Sequence, residues 1–251
     1  MRRMLAFTLL ALAGLPHQGL AQAWPGRVTI SLNGAFQATS STFEDDLTFL
    51  HPNSGNIPGE EAAVETRYEV PTGALFDGGA VVRLAGNFGL GVSVSMANGT
   101  NDVEIVARIP HPLLIGAHRQ VEGAVPARHV ERGIHVQAVY RVAATERLYF
   151  AFSGGPSHFN VEQKVVSAVT ASESYPFDTA TFASANLQVL QGTGWGVNTG
   201  VDAGWMFTRR FGVGGLLRYS KGTVSLAPTG REVREIDAGG LHAGIGARIA
   251  F

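Results

Sequence analysis

The stretch that decides the fold is GWGVNTGVDAGWMF, residues 194–207, in which large apolar residues alternate with small or polar ones. The first face is almost wholly apolar and consists of Trp195, Val197, Thr199, Val201, Ala203, Trp205 and Phe207. The residues between them are glycines together with Asn198, Asp202 and Met206. Because successive side chains of a β-strand point to opposite faces, this period of two predicts a strand with one apolar and one polar side.

The same alternation recurs along the rest of the chain. Seven further stretches show it, at about 28–37, 76–84, 89–96, 134–142, 148–153, 211–220 and 241–251. Tight turns are predicted near 86–87, 145–146 and 209–210, long polar loops at about 44–65, 99–132 and 163–192, and a shorter loop near 228–234. Antiparallel neighbours can be joined by tight hairpins, so the pattern predicts eight antiparallel strands connected alternately by short turns and long loops.

Alternation alone fits either a soluble barrel with its apolar face inside or a membrane barrel with its apolar face outside. The composition favours the membrane, because charged residues are only 16% of the chain and only two of the 19 basic residues, Lys164 and Lys221, are lysine. Trp195 and Phe207 would lie about 30 Å apart, which is close to the spacing of the two aromatic girdles of a membrane barrel. The sequence therefore predicts an all-β, eight-stranded antiparallel up-and-down transmembrane β-barrel over residues 24–251.

The N-terminal residues 1–23 have the pattern of a cleavable signal peptide. A basic start is followed by a short apolar run, and Ala21 and Ala23 form an A-x-A cleavage site. The formal net charge of -1 gives no indication of a nucleic-acid partner. The chain contains no cysteine, which excludes disulfides, thiol catalysis and thiolate metal sites.

With a signal peptide, eight two-sided strands and a final strand that ends in an aromatic residue, the chain resembles the small OmpA-like outer-membrane β-barrel proteins of Gram-negative bacteria. The resemblance implies a place in the outer membrane, with the lipid bilayer, lipopolysaccharide and the outer-membrane assembly machinery as partners. It also implies that Phe251, with Ile249 and Ile245 before it, is the signal that the assembly machinery reads. A monomer without cofactor or metal is expected.

Charged and polar residues on the inward faces form the candidate site. The expected lumen network consists of Asn33, Asp77, Arg83, His135, Arg141, Asp202, Arg218, His242 and Arg248. A hairpin centre near residues 209–210 predicts Asp202 opposite Arg218, and a centre near residue 230 predicts Arg218 opposite His242. Such a set fits a charge-paired plug, since buried charges need partners. It also fits a pathway for protons or small ions.

Three other groups of residues are candidates for a site. Ser157 and His158 invite comparison with the lipid A deacylase type of outer-membrane enzyme, but adjacent strand residues point to opposite faces and cannot form a nucleophile–base pair. His111, His118 and His129 share one predicted loop without a compact ligand spacing. The first predicted loop is acidic, with Glu44, Asp45, Asp46, Glu60 and Glu61. The third predicted loop is aromatic, with Tyr175, Phe177 and Phe182.

The function expected from the sequence is that of a non-enzymatic outer-membrane barrel with a plugged polar lumen and long extracellular loops for surface contacts. Two alternatives stay open. One is a narrow channel or transporter for small or apolar solutes, and the other is a lipid-modifying enzyme.

Overall fold

The computed structural model describes residues 24–51, 59–70, 72–227 and 233–251. The predicted signal peptide with Ala21 and Ala23, and most of the predicted loop at 228–234, lie outside these residues. Within the described part of the chain, no helix is long and apolar enough to cross a membrane.

The described residues form ten β-strands. These are β1 (Val28–Gln37), β2 (Ser41–His51), β3 (Glu60–Val70), β4 (Gly73–Ala85), β5 (Phe88–Pro110), β6 (His118–Ala143), β7 (Leu148–Glu173), β8 (Ala180–Met206), β9 (Phe211–Leu226) and β10 (Arg234–Ala250). All pairings between them are antiparallel.

Eight of these strands close into a ring, which confirms the predicted barrel. The order around the ring is β1, β4, β5, β6, β7, β8, β9 and β10, and β10 pairs back onto β1 from His242 to Ala250. In the part of the ring next to the short turns, closure gives each of the eight strands a hydrogen-bonded neighbour on both sides, which a sheet in lipid requires. The remaining two strands form a hairpin whose β3 pairs with the outer part of β5, above β4.

The half of the barrel next to the short turns, which we call the lower barrel, is apolar outside and polar inside. Its outer surface carries large exposed side chains, among them Phe36, Phe76, Leu90, Val92, Ile134, Phe152, Trp195, Trp205, Phe207, Val213, Leu217 and Ile245. A water-soluble protein does not expose a continuous belt of this kind. The belt and the aromatic residues at both of its edges are those of a membrane-spanning barrel.

The other half, which we call the upper barrel, has the opposite polarity. It comprises β2 and β3 with the parts of the ring at 99–110, 118–132, 160–173, 180–193, 222–226 and 234–238. Its outer surface carries exposed ion pairs, such as Arg67 with Glu44 at 2.8 Å and Arg108 with Glu65 at 3.8 Å. Its interior is a hydrophobic core that includes Val64, Tyr68, Val103, Ile105, Ile109, Val121, Phe159, Val161, Val165, Leu190, Val224, Leu226 and Ile236. The upper barrel therefore folds as a protein in water does, around an apolar interior.

The prediction of long polar loops at 44–65, 99–132 and 163–192 was wrong for most of the residues in these segments. Strands β5 to β8 have 23 to 27 residues and continue through two of these segments, and the first segment contains much of the β2–β3 hairpin. The reason is visible on β5, where Leu90 and Val94 face outward and Val103 and Ile105 face inward. The inward–outward alternation is unbroken along the strand, but the solvent outside changes from lipid to water, and the apolar residues change sides with it.

Candidate functional site: the barrel interior

A continuous chain of ion pairs and hydrogen bonds crosses the lower barrel. Arg248 pairs with Asp202 and donates from Nη1 to Oδ1 of Asn33 at 2.7 Å. Asn33 donates to Oδ1 of Asp77 at 3.2 Å, and Asp77 also pairs with Arg218. These five residues come from β1, β4, β8, β9 and β10, so the network ties together strands that do not all adjoin one another. Four of them are almost fully buried, and each carboxylate meets an arginine.

The predicted position of Asp202 opposite Arg218 was wrong. The β8–β9 hairpin is centred on Arg209, so Asp202 lies opposite Leu216, and Arg218 lies opposite Gly200. The predicted pairing has its centre at residue 210, and a shift of one residue in the centre moves every cross-strand partner by two positions. His242 does lie opposite Arg218, as the second hairpin centre predicts. The carboxylate partner of Arg218 is Asp77 on β4, which only closure of the ring brings near.

Above this network, His242 and Glu131 form a second polar level. Glu131 accepts the backbone N–H of Gly239 with both carboxylate oxygens, at 3.0 and 3.1 Å. His242 is buried, and neither ring nitrogen has a hydrogen-bond partner among the described residues. Glu131 was missed because the sequence assigned it to a loop. Counting back in twos from the inward-facing His135 would have placed it in the lumen.

His135 is the centre of a second hydrogen-bonded set. Its Nδ1 lies 2.8 Å from Oγ of Ser157, and its Nε2 lies 2.9 Å from Oγ of Ser95. Asn198 donates to Ser157 at 2.9 Å and accepts from Gln137 at 2.7 Å. The set has no carboxylate to orient the imidazole, and all five side chains are buried. It fills the interior and holds four strands together.

Ser157 and His158 face opposite sides of the wall. Ser157 is 1% exposed inside the barrel, whereas the His158 ring packs edge-on against Trp195 outside, with ring centroids 4.9 Å apart. They form no pair with each other.

The short-turn mouth of the barrel is closed by aromatic residues. The guanidinium carbon of Arg141 lies 4.2 Å from the ring centre of Trp24 and 3.8 Å from that of Tyr149, so the cation is held between two π-faces. Trp24 is 1% exposed and was not recognised from the sequence, because it precedes the first alternating stretch. Arg83 was predicted to belong to the lumen network, but its described hydrogen bond lies outside that network. Its Nε donates to the carbonyl of Gly86 at 3.0 Å, in the adjoining turn.

A small cavity lies inside the lower barrel. It has a volume of about 50 Å³ and is lined by the ion-pair network and by residues such as Ser93 and Gln137. A volume of that size accommodates at most a few water molecules. Phe159, with no exposed surface, lies edge-on to His135 at the level where the polar interior meets the apolar core.

The three histidines of the second predicted loop do not come together. His111 accepts hydrogen bonds from the N–H groups of Leu113 and Leu114 at the tip, and His129 lies in the wall, 2.8 Å from Oε1 of Gln163. His118 lies 3.3 Å from the carbonyl of Gly116. No group of three or more metal-ligating side chains occurs among the residues that the structure describes.

The β5–β6 and β7–β8 connections are joined into one tip at the far end of the upper barrel. Arg119 donates to the carbonyls of Pro110 and Phe177 at 2.7 and 2.9 Å, and pairs with Glu173 at 2.8 Å. From this tip project exposed apolar side chains, namely Leu113, Leu114, Ile115 and Tyr175. Arg119 thus links the two connections, and the tip presents an apolar surface.

Several solved outer-membrane proteins are similar in fold to this chain. The outer membrane protein OprG from Pseudomonas aeruginosa aligns with a TM-score of 0.49 and 10% identity, over 91% of this chain and 99% of that one. The outer membrane protease OmpT from Escherichia coli aligns with a TM-score of 0.46 and 10% identity, over 93% and 99%. Ail, the attachment invasion locus protein of Yersinia pestis, aligns with a TM-score of 0.37 and 12% identity, over 89% and 99%.

The chain is similar to bacterial outer-membrane β-barrel proteins. At these identities and TM-scores, the likeness assigns no role to any residue. The sequence matches no protein-family model and no curated protein.

Proposed function

We propose that this chain is an integral outer-membrane β-barrel protein that does not conduct solutes and that presents a rigid extracellular wall and an apolar tip for surface contacts. The observation that carries the proposal is that the interior is filled along the barrel, by paired charges below and by an apolar core above. Short turns of such barrels face the periplasm, so the upper barrel would stand outside the cell.

The packing of the interior favours a plug over a channel. An eight-stranded barrel is just wide enough for side chains to fill it. Here Asp77 and Asp202 are each neutralised by an arginine. The interior above them is mostly apolar, and polar side chains buried there have partners within the protein, such as Asp45 with Arg234 and His129 with Gln163. A solute would have to break these pairs and then displace the core.

The burial of the Ser157–His135 pair favours a non-enzymatic role. Both side chains are at most 1% exposed, beneath Phe159, so a lipid substrate outside the barrel has no path to the serine. An activated nucleophile also needs a base that is held in orientation by a third group, and His135 contacts two serines instead.

The test of the plug is conductance in planar bilayers. We expect the folded protein to give no stepwise increases in ionic current at any voltage that the bilayer withstands. The reason is that paired charges fill the lower lumen and an apolar core fills the upper one. Steps that are reproducible and that change in Asp202→Ala or Arg218→Ala would show a conducting lumen and refute this part of the proposal.

The test of the orientation uses the absence of cysteine. A single Ile115→Cys variant should react with a membrane-impermeant maleimide on intact cells, because Ile115 is 74% exposed at the tip. Thr208→Cys, in the β8–β9 turn, should react only after the outer membrane is permeabilised. The reverse pattern, or equal labelling of both variants, would contradict the proposed orientation.

The proposed assembly signal leads to a further prediction. The Phe251 side chain is 65% exposed, while its backbone exchanges hydrogen bonds with Val28 at 2.9 and 3.1 Å. Phe251→Ala keeps these bonds, so we expect the stability of the folded barrel to change by less than about 1 kcal/mol. The yield of heat-modifiable barrel in the outer membrane should fall severalfold.

The matched control is Phe211→Ala, which removes a similarly exposed ring near the same end of the barrel. Outer-membrane yield and urea unfolding are measured for both variants. Equal losses of yield in the two would show that Phe251 has no special part in assembly.

A further inference from the structure

The wall of the upper barrel is open along one line. β1 pairs with β10 up to Gln37, which lies opposite His242, and the N–H of Ala38 still donates to the carbonyl of Leu241 at 2.8 Å. Beyond this point the chains part. Among the described residues, β2 pairs with β3 alone, and residues 234–240 of β10 pair with β9 alone. We call the gap between β2 and residues 234–240 the seam, and two strand edges face each other across it.

At the lower end of the seam, side chains take the place of a neighbouring strand. The Glu131 carboxylate accepts the N–H of Gly239, and Nε2 of Gln37 donates to the carbonyl of Gly239 at 3.1 Å. Higher up, no hydrogen bond joins the backbones of β2 and β10 in the part of the chain that the structure describes. Unpaired strand edges present rows of N–H and C=O groups with which a further strand can pair. The seam is therefore a template for an added strand.

The outward side chains beside the seam are acidic. They are Glu44 and Asp46 on β2 and Glu235 and Asp237 on β10, and all four are exposed. The register of β1 with β10, continued upward, places Glu44 opposite Glu235, and like charges opposite each other disfavour strand pairing. Glu44 pairs with Arg67, and the other three form no ion pair among the described residues. The charges thus oppose pairing of the two edges with each other and favour a basic partner.

The inner side of the seam is apolar except at one level. Leu47 and Ile236 belong to the upper core, and Phe43 packs against it. Nε of Arg234 lies 3.0 Å from Oδ1 of Asp45, so one ion pair crosses the seam on its inner side. A strand seated in the seam would have water on its outer face and the core on its inner face. It would need a small side chain where it passes the ion pair.

We propose that the seam binds an extended peptide segment in which Lys or Arg alternates with apolar or small residues. The backbone of the segment pairs with the edge of β2, and its basic side chains lie outside, beside Asp46, Glu235 and Asp237. Main-chain hydrogen bonds supply the affinity in this mode of recognition, and the alternate side chains supply the specificity. A second copy of this chain is a poor occupant, because its own seam carries the same acidic charge.

This inference deepens the proposed function and rests on it, since the segment can reach the seam only if the upper barrel stands outside the cell. It names a basic, extended segment as one of the surface contacts. The seam is separate from the apolar tip, whose exposed side chains carry no charge.

The experiment measures binding of a fluorescent peptide, Lys-Val-Lys-Ala-Lys-Val-Lys, to the purified, heat-modifiable barrel in a zwitterionic detergent. We expect one peptide per chain, and slower amide hydrogen exchange in β2 when it is bound. The same peptide with N-methylated amides keeps its charges but has no backbone donors, so its affinity should fall about tenfold or more. The double variant Asp46→Asn, Asp237→Asn should bind the unmodified peptide about fivefold more weakly, because two attractive charges are lost.

The matched control is the double variant Asp102→Asn, Glu122→Gln, which removes two exposed charges from the outside of the upper barrel on β5 and β6. It should bind the peptide as the unmodified protein does. The proposal is overturned if the peptide does not bind, if the N-methylated peptide binds equally well, or if the control loses as much affinity as the test variant. Unchanged hydrogen exchange in β2 would also overturn it.

Failure of this inference can be told apart from failure of the proposed orientation. Peptide binding is measured on purified protein and does not depend on the side of the membrane that the upper barrel faces. Labelling of Ile115→Cys only after permeabilisation would refute the orientation and leave the binding result as measured. Heat modifiability of each variant confirms that a loss of binding is not a loss of fold.

Discussion

Replacing Asp77 with leucine is expected to destabilise the folded barrel by about 3–5 kcal/mol, because it leaves the Arg218 cation without its carboxylate in the interior. The side chains of Asp77 and Arg218 are 1% and 4% exposed, so water does little to solvate the remaining charge. Asn33 also loses the acceptor of its 3.2 Å hydrogen bond. The measurement is the free energy of unfolding in urea, in lipid vesicles.

Two further variants separate the ion pair from its surroundings. The double variant Asp77→Leu, Arg218→Met should lose much less stability than Asp77→Leu alone, since apolar side chains of similar volume can replace a buried ion pair. Glu44→Ala breaks the exposed pair with Arg67 and should cost less than about 1 kcal/mol. If Asp77→Leu were as mild as Glu44→Ala, the lumen would have to be hydrated well enough to solvate Arg218 alone.

Phe159→Ala is expected to cost about 3–5 kcal/mol as well, for a different reason. The ring has no exposed surface, lies edge-on to His135 with centroids 5.9 Å apart, and occupies the space over Gly222, where an added Cβ would come within 2.7 Å of it. Its removal leaves a cavity between the polar network and the apolar core, and the β-strands around it cannot collapse into that space. Urea unfolding measures the loss.

The matched control is Phe207→Ala, which deletes the same ring at a 58% exposed position near the short turns. Its loss should be clearly smaller, and Phe159→Leu should fall between the two, because leucine fills much of the same volume. Equal effects of Phe159→Ala and Phe207→Ala would mean that the upper interior is loosely packed. The conclusion that it forms a plug would then fail.

The two halves of the interior complement each other in closing the barrel. Ion pairs between distant strands fix the lower lumen, where Arg248 joins Asp202 to Asn33. An apolar core fixes the upper barrel, which stands in water and has no lipid to stabilise its outer surface. The long strands thus pass from lipid into water. The lower barrel buries polar side chains away from lipid, and the upper barrel buries apolar side chains away from water.

The sequence by itself determined the barrel, its eight-stranded ring and the direction of most side chains in the lower half. Residues 194–207 predicted a two-sided strand, and β8 has that form, with Trp195 and Trp205 outside and Asn198 inside. This was possible because a period of two depends on neighbouring residues alone. The same parity, continued from His135, would also have placed Glu131 in the lumen.

Only the tertiary structure decided where the strands end, which strands carry the extra hairpin, and which charges meet. The sequence predicted loops for the residues of the upper barrel. The polar residues on its outer face are typical of a solvated loop, and the sequence does not show that the strands leave the lipid at this level. The pairing of Asp77 with Arg218 and of Asp202 with Arg248 depends on ring closure and on the register of hairpins, where a shift of one residue in a turn centre moves every partner by two positions. Local alternation fixes the face on which a side chain lies, whereas its partner across the lumen is set by strands far away in the chain.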